Sequence, residues 1–231
     1  MNDDIRPLLY LLTEDDNDDL FFERCAERIT GKSFHLIPKR LRKNGGIAAV
    51  RKALPFFLNS IKHSQGVEAY FIIALDNDRC PEHTFDSENI IIHNKIEGLS
   101  KKESSRSCRY CEIEKAIKKY WGDNPDTWVA KGAIAIPVQM LESWILIGLD
   151  PSCAYDLPIF SEQKKALAKE YYNGSPPEQL KDICDRLRYE GKTTNKGEFF
   201  FDVADTLDLD VVTAASSSFA QFRQQVASWN N

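Results

Sequence analysis

The chain has 231 residues, 35 acidic and 30 basic, a formal net charge of −5 and 42% hydrophobic content. That is enough apolar material for one sizeable domain, or a domain with a smaller appendage, and it excludes a largely disordered chain. No apolar run approaches the ~20 residues of a membrane span. The acidic residues 1–6 lack the basic start and apolar stretch of a signal peptide, so a cytoplasmic location with no membrane association is expected. The net charge does not advertise nucleic-acid binding, but acids gathered round a metal would leave basic patches elsewhere free to act. Neither an internal repeat nor a low-complexity tract is present.

Residues 7–13, Pro-Leu-Leu-Tyr-Leu-Leu-Thr, read as a first strand, and Glu14 stands at its end. Asp15, Asp16, Asn17, Asp18 and Asp19 follow, then a helical segment with Leu20, Phe21, Cys25 and Ile29 on one side. Acids before a helix ordinarily cap it and favour its dipole, which accounts for Asp16 to Asp19 better than for Glu14. Residues 33–38 read as a second strand. The basic turn behind it (Lys39, Arg40, Arg42, Lys43, then Asn44-Gly45-Gly46) leads into a helix with Ile47, Val50, Leu54 and Leu58 inward. Lys43, Gly45 and Gly46 suit a phosphate held by backbone N–H groups and positive charge. They equally suit a solvated tight turn.

Residues 70–75, Tyr-Phe-Ile-Ile-Ala-Leu, run unbroken into Asp76-Asn77-Asp78. Such a run reads as a strand buried on both faces, as in a parallel sheet. Asp76 and Asp78 are two apart, so in extended backbone both side chains leave on one side. The alternation of strand, helix, strand, helix, strand implies an α/β fold with a parallel sheet, its connections right-handed. Glu14, Asp76 and Asp78 are then brought to one sheet edge. Like charges that close repel, and a hard cation between them, Mg²⁺ or Mn²⁺, resolves the conflict.

Residues 79–111 form a polar insertion. Cys80-Pro81-Glu82-His83 and Cys108-Arg109-Tyr110-Cys111 each have two residues between ligands, the spacing of a tetrahedral structural Zn²⁺. Such an ion would pin a segment with few apolar residues of its own. Against this stands the reading of four unrelated residues, with Cys108 and Cys111 partly buried at a helix start. His35 or His93 could take the place of His83, but their strand-like surroundings favour reading them as core histidines. Cys25, Cys153 and Cys184 read as small buried core residues.

A helix over 111–120, a strand over 128–136 and a helix over 137–149 come next, the last with Met140, Trp144 and Ile147 buried. From Pro151 the character changes to helices joined by loops, over 162–172, 177–187, 199–206 and 218–229. Phe219, Phe222, Val226 and Trp229 form one stripe, expected to pack on the sheet. Residues 191–197 are a basic loop able to reach a phosphate at the acids or to stay solvated, and Lys192 or Lys131 would stabilise phosphate charge.

A strand ending in Glu14 with Asp18 four residues on, a glycine-bearing turn, and a strand ending in Asp76-Asn77-Asp78 together resemble the TOPRIM domain of topoisomerases, primases and overcoming-lysogenization-defect nucleases. The chain departs from that pattern in having Asp15 where the family usually has glycine. Residues 134–144 and the late Ser216-Ser217-Ser218-Phe219 with Phe222 resemble small TOPRIM-like proteins found beside ATPases in phage-defence loci. The resemblance implies a TOPRIM-like catalytic domain over 1–150, with the insertion at 79–111, and a helical C-terminal subdomain over 151–231. It implies that Glu14, Asp18, Asp76 and Asp78 are metal ligands, with Glu142 a further acid at the site, a position that equally suits an exposed helix acid. The implied protein is a nuclease acting on DNA or RNA, the effector of an antiviral system with an ATPase partner. The rival reading is a non-catalytic module that docks an ATPase or nucleic acid through the insertion. A zinc nuclease centred on the cysteines is a third, with His93 its only spare base. Self-association into a homo-oligomer is left open.

Overall fold

The computed structural model describes residues 6–38, 46–64, 67–77, 80–85, 90–94, 105–121, 124–137, 141–149, 185, 188 and 195–230. Four strands, β1 (Leu8–Leu12), β2 (His35–Pro38), β3 (Ala69–Ala74) and β6 (Gly132–Ala135), form a parallel sheet in the order β2-β1-β3-β6. Helices α1 (Asp16–Thr30) and α2 (Gly46–Lys62) make the first two connections, and α3 (Arg109–Trp121) lies between β3 and β6. A separate antiparallel hairpin, β4 (Glu82–Phe85) and β5 (Ile91–Asn94), stands in the insertion. Beyond β6 come α4 (Glu142–Leu149), α5 (Lys196–Thr206), α6 (Leu209–Ala215) and α7 (Ser217–Ala227).

β3 is the reason for the layering. All six of its residues are buried, and their alternation sorts them between two cores. Tyr70, Ile72 and Ala74 join Leu9, Leu11, Ala133 and Ala135 in the core beneath α1, α4, α5 and α7. Phe71, Ile73 and Leu75 join Leu12, Ile134 and Ile136 in the core beneath α2 and α3. The stripe Phe219, Phe222, Val226 and Trp229 is buried in the first of these cores, so α7 packs on the sheet as its periodicity demands. Trp144 there lies between Phe22, Phe219 and Phe222. Arg28 of α1 donates to the carbonyls of Ala204 and Leu207 at 2.7 Å each, tying the end of α5 to α1.

Three elements differ from the sequence expectation. The strand expected over 128–136 is confined to Gly132–Ala135. Before it, Pro125 at the start of a 3-10 helix (Pro125–Ala130) presets the turn, and Trp128 there is fully buried. The helix expected from residue 137 begins at Glu142, because Pro137 continues away from β6 with its carbonyl accepting the Asn77 N–H at 3.1 Å. The helix expected from Phe199 begins at Lys196, capped by Asn195, whose Oδ1 accepts from the N–H groups of Gly197 and Glu198. The helices expected over 162–172 and 177–187, with Met140, Cys153 and Cys184, lie outside the described residues, apart from Asp185, which is helical. Among the described residues no helix is long and apolar enough to cross a membrane.

Gly132 is required by a close approach. A Cβ there would lie 2.1 Å from Cζ of Phe71. That ring is fully buried between Phe57, Trp121 and Trp128 and has nowhere to turn. Gly132→Ala is expected to cost about 1–3 kcal/mol through overpacking, measured as a lowered urea midpoint. An unchanged midpoint would mean that the Phe71 pocket is slack.

Candidate functional site

The strand order carries the argument from fold to site. β1 connects outward to β2 and the chain then returns to β3 on the other side of β1, so β1 and β3 flank the point where the winding reverses. In open α/β sheets the crevice at that point, outside the carboxyl ends of the strands, is where ligands bind. Glu14 follows β1, Asp76 follows β3, and Glu142 opens α4 after β6. The topology thus delivers three carboxylates, distant in sequence, to the same edge.

Each acid has a local reason for its position. Asp15, extended at φ −129° and ψ 140°, is the N-cap of α1, its Oδ1 accepting from the Asn17 N–H at 3.0 Å. Such backbone suits any residue, so the turn does not need the glycine that the TOPRIM pattern has there. With Asp15 as the cap, Asp18 falls in the first turn of α1, at its positive end. Asp19 is buried and accepts the Thr13 hydroxyl at 2.6 Å, which fixes the passage from β1 into α1. One carboxylate oxygen of Glu14, Oε1, is buried. Asp76 Oδ1 accepts the Leu141 N–H at 3.1 Å, so the exit of β3 holds the start of α4. That places buried Glu142 beside the same edge.

Lys196 closes the group. The Asn195 cap orients the first turn of α5, and the Lys196 ammonium lies 3.4 Å from Glu142 Oε1 and 4.8 Å from the Phe200 ring centroid. Burial opposes its charge, but Glu142, Asp18 and Asp15 outweigh that and raise its pKa. Asp18 is half-buried by surface area. Desolvation, reinforced by Asp15, Glu142 and Asp19, raises its pKa well above the usual carboxylate value, and Lys196 only partly offsets this. Burial and like charge both disfavour its ionised form.

Asp78 and Lys192 lie outside the described residues, as do Lys43 and Gly45, while Gly46 is the first residue of α2. Lys131 stands before β6, at the amino edge of the sheet and so opposite the acids, which removes it from this site. Lys196 belongs to the basic loop expected to reach the acids, but it lies at a helix start, which the capping-box pattern Asn195-Lys196-Gly197-Glu198 could have shown.

The second group of chemical interest lies between the hairpin and α3. His83, His93, Cys108 and Cys111 each offer a ligand atom, all four within 4.8 Å of one another. His83 Nδ1 is 3.7 Å from Cys108 Sγ and 3.3 Å from Cys111 Sγ, and His93 Nε2 is 3.1 Å from Cys111 Sγ. Nitrogen and sulfur ligands of one tetrahedral zinc ion are about 3.5 Å apart, given bonds of about 2.0 and 2.3 Å. The four residues can therefore hold a zinc-like ion. Burial, then His93, lowers the His83 pKa to about 4, which keeps its imidazole in the neutral, ligating form. Burial, then Cys108, raises the Cys111 thiol to about 12.

Two expectations change here. His93 is no core histidine but an exposed residue of β5, directly opposite His83 in the hairpin register. Cys80, expected as the fourth ligand, is buried beside the turn after β3 and is not one of the four. Local spacing pointed to Cys80, whereas antiparallel pairing across the hairpin supplies His93. His35 is likewise no core histidine, because it is exposed on the edge strand β2, whereas Cys25 is buried in the core as expected. Among the described residues the acids do not form a second group of three ligand atoms this close.

The chain matches no family model, no curated protein and no solved structure.

Two outcomes follow from these groups. With divalent ions chelated, the folded state binds a proton at Asp18 that the unfolded chain releases above about pH 3.8, so stability falls as pH rises from there through the raised folded pKa. Asp18→Asn should flatten that slope and raise Tm at neutral pH by about 2–5 °C, read by calorimetry, and a lowered Tm would contradict the assignment. Separately, the purified protein should carry one zinc per chain by elemental analysis, retained by Cys80→Ala and lost in His93→Ala and Cys108→Ser. Loss of zinc in Cys80→Ala with retention in His93→Ala would reverse the ligand assignment.

Proposed function

We propose that the protein is a divalent-metal-dependent nuclease of TOPRIM-like type, hydrolysing phosphodiester bonds of DNA or RNA at the carboxyl edge of its sheet. What supports this reading is that Asp18, Glu142 and Lys196 interact at the edge to which the topology also brings Glu14 and Asp76, with burial, then neighbouring acids, pushing up the Asp18 pKa. Oxygen donors of this kind suit a hard cation. Glu14, Asp18, Asp76 and Asp78 would hold Mg²⁺ or Mn²⁺, which activates water and stabilises a leaving oxygen.

The chain's own residues supply the rest. Asp76, held on the Leu141 N–H, keeps α4 and Glu142 at the edge. Glu142 holds the Lys196 ammonium, and Lys196 is the cation placed to meet the negative charge of a phosphate. Glu14 serves as ligand or general base. The substrate would be held by its backbone, aided by Lys192 and by Lys43, Gly45 and Gly46 at the β2–α2 turn, making binding sensitive to salt. Zn²⁺ on the thiol–imidazole group is structural in this reading. The sequence resemblance supports a cytoplasmic effector of an antiviral system paired with an ATPase.

One observation favours the second reading, a docking module. Ile90, Ile91 and Ile92 of the insertion are 56%, 49% and 39% exposed, a run of apolar surface beside the thiol–imidazole group.

Plasmid DNA and tRNA incubated with Mn²⁺ decide between the readings. Cleavage should fall ~100-fold or more in Asp76→Ala with Asp78→Ala, and by a comparable factor in Lys196→Met. Equal cleavage by wild type and the double variant, or none by either, would leave the docking reading.

A further inference from the structure

The hairpin β4–β5 starts a few residues after Asp76, and a two-stranded hairpin is at best marginal by itself. Its outer strand exposes Ile91 and Ile92, so apolar burial does little to hold it. β4 also packs against α3 and α7, and Asn77 ties the chain entering it to the sheet edge. This buried residue donates its backbone N–H to Pro137 O at 3.1 Å and its Nδ2 to Cys80 O at 2.7 Å, and accepts the Cys80 N–H on its own carbonyl at 2.9 Å. Asn77 is thus bonded at once to the chain leaving β6 and to the chain leading into β4.

A second connection runs from α3 to β6. Gln225 of α7 accepts the Ile134 N–H on Oε1 at 2.9 Å and donates Nε2 to Tyr110 OH at 2.6 Å. Tyr110 lies between Cys108 and Cys111 in sequence, and its ring stacks on His83 with centroids 4.2 Å apart. The start of α3 is therefore fixed to β6 by a buried amide, independently of the hairpin.

We propose that a tetrahedral zinc-class ion on His83, His93, Cys108 and Cys111 is the closing link of this ring, and that divalent-cation binding at the acidic edge depends on it. The ring runs from Asn77 through Cys80 and His83 to the ion, then through Cys108 and Cys111, Tyr110, Gln225 and Ile134 to Pro137 and back to Asn77. Asp76 is bonded covalently to Asn77, and its carboxylate is the acceptor for Leu141 N–H. With the ion in place, β4 is drawn to α3 and Asn77 is held from both sides, which orients Asp76. Without it, β4 is held to α3 and α7 by packing and the His83–Tyr110 stack alone, and the segment that Asn77 bonds at Cys80 is held less firmly. The inference rests on the reading of the acidic edge as a Mg²⁺ or Mn²⁺ site. Asn77 is a positioning residue in it, acting through Asp76.

Mn²⁺ titration of the full chain, followed by electron paramagnetic resonance of the free ion, tests it. Protein is compared zinc-loaded, stripped by dialysis against a chelator that is then removed, and reloaded with one equivalent of Zn²⁺. The zinc-loaded protein should bind Mn²⁺ at a site abolished by Asp76→Asn. Stripping should weaken that site at least tenfold, and reloading should restore it. Cys108→Ser with Cys111→Ser should match the stripped protein and not respond to Zn²⁺. If that variant fails to fold by circular dichroism, the stripped and reloaded wild type decides. Asn77→Ala should keep its zinc, lose Mn²⁺ affinity tenfold and no longer respond to zinc stripping, which would show that the coupling passes through Asn77. Equal Mn²⁺ affinity with and without zinc, abolished by Asp76→Asn, would overturn the coupling and leave the acidic site standing. Failure of the chain to take up zinc would overturn it as well. Absence of Mn²⁺ binding in the zinc-loaded protein, or binding unaffected by Asp76→Asn, would remove the acidic site and the coupling together.

Discussion

The burial of β3 on both faces is the constraint from which the rest of the structure follows. A strand with no polar side chain to turn towards water must sit inside a sheet with helices above and below. Parallel pairing with β1 and β6 then points the carboxyl ends of all three strands the same way. Whatever follows those strands in sequence meets at one edge. In this chain, acids follow β1 and β3, and another opens the helix after β6. The electrostatic strain at the site is a product of the packing that stabilises the core.

That strain is relieved only in part by the protein itself. Lys196 stands against Glu142, and the pair is largely shielded from solvent, where a partnered charge is far less costly than a lone one. Asp18 keeps a raised pKa despite Lys196. The chain also separates two kinds of donor. Hard oxygens gather at the sheet edge, and sulfur and imidazole gather at the hairpin, so the two groups favour different ions by ligand chemistry alone. Asn77 lies between them and bonds towards both.

Much of this was legible in the sequence because the signals were strong or local. The unbroken apolar run of β3 and the acids at strand ends gave the sheet edge, and the Phe219, Phe222, Val226, Trp229 stripe gave the packing of α7. The losses have physical causes. His93 joins the thiol–imidazole group through hairpin register, which pairs residues ten apart and leaves no trace in Cys-x-x-Cys or Cys-x-x-His spacing. Lys196 reaches Glu142 because α5 packs on α1, a tertiary contact that no local pattern states, although its cap was readable. Trp128 falls within the strand expected over 128–136, but the segment from Pro125 is a 3-10 helix. Gln225 carries no signal in the sequence, because nothing in its neighbours shows that it joins β6 to α3.

The claim at the centre is that carboxylates from separate strands share one divalent ion at the switch point between β1 and β3. Anomalous diffraction from crystals soaked in Mn²⁺ measures this directly. The account predicts a manganese peak bonded to carboxylate oxygens of both Glu14 and Asp76 at about 2.2 Å. Manganese only at the thiol–imidazole group, or Glu14 and Asp76 bonded to no common ion, would contradict it.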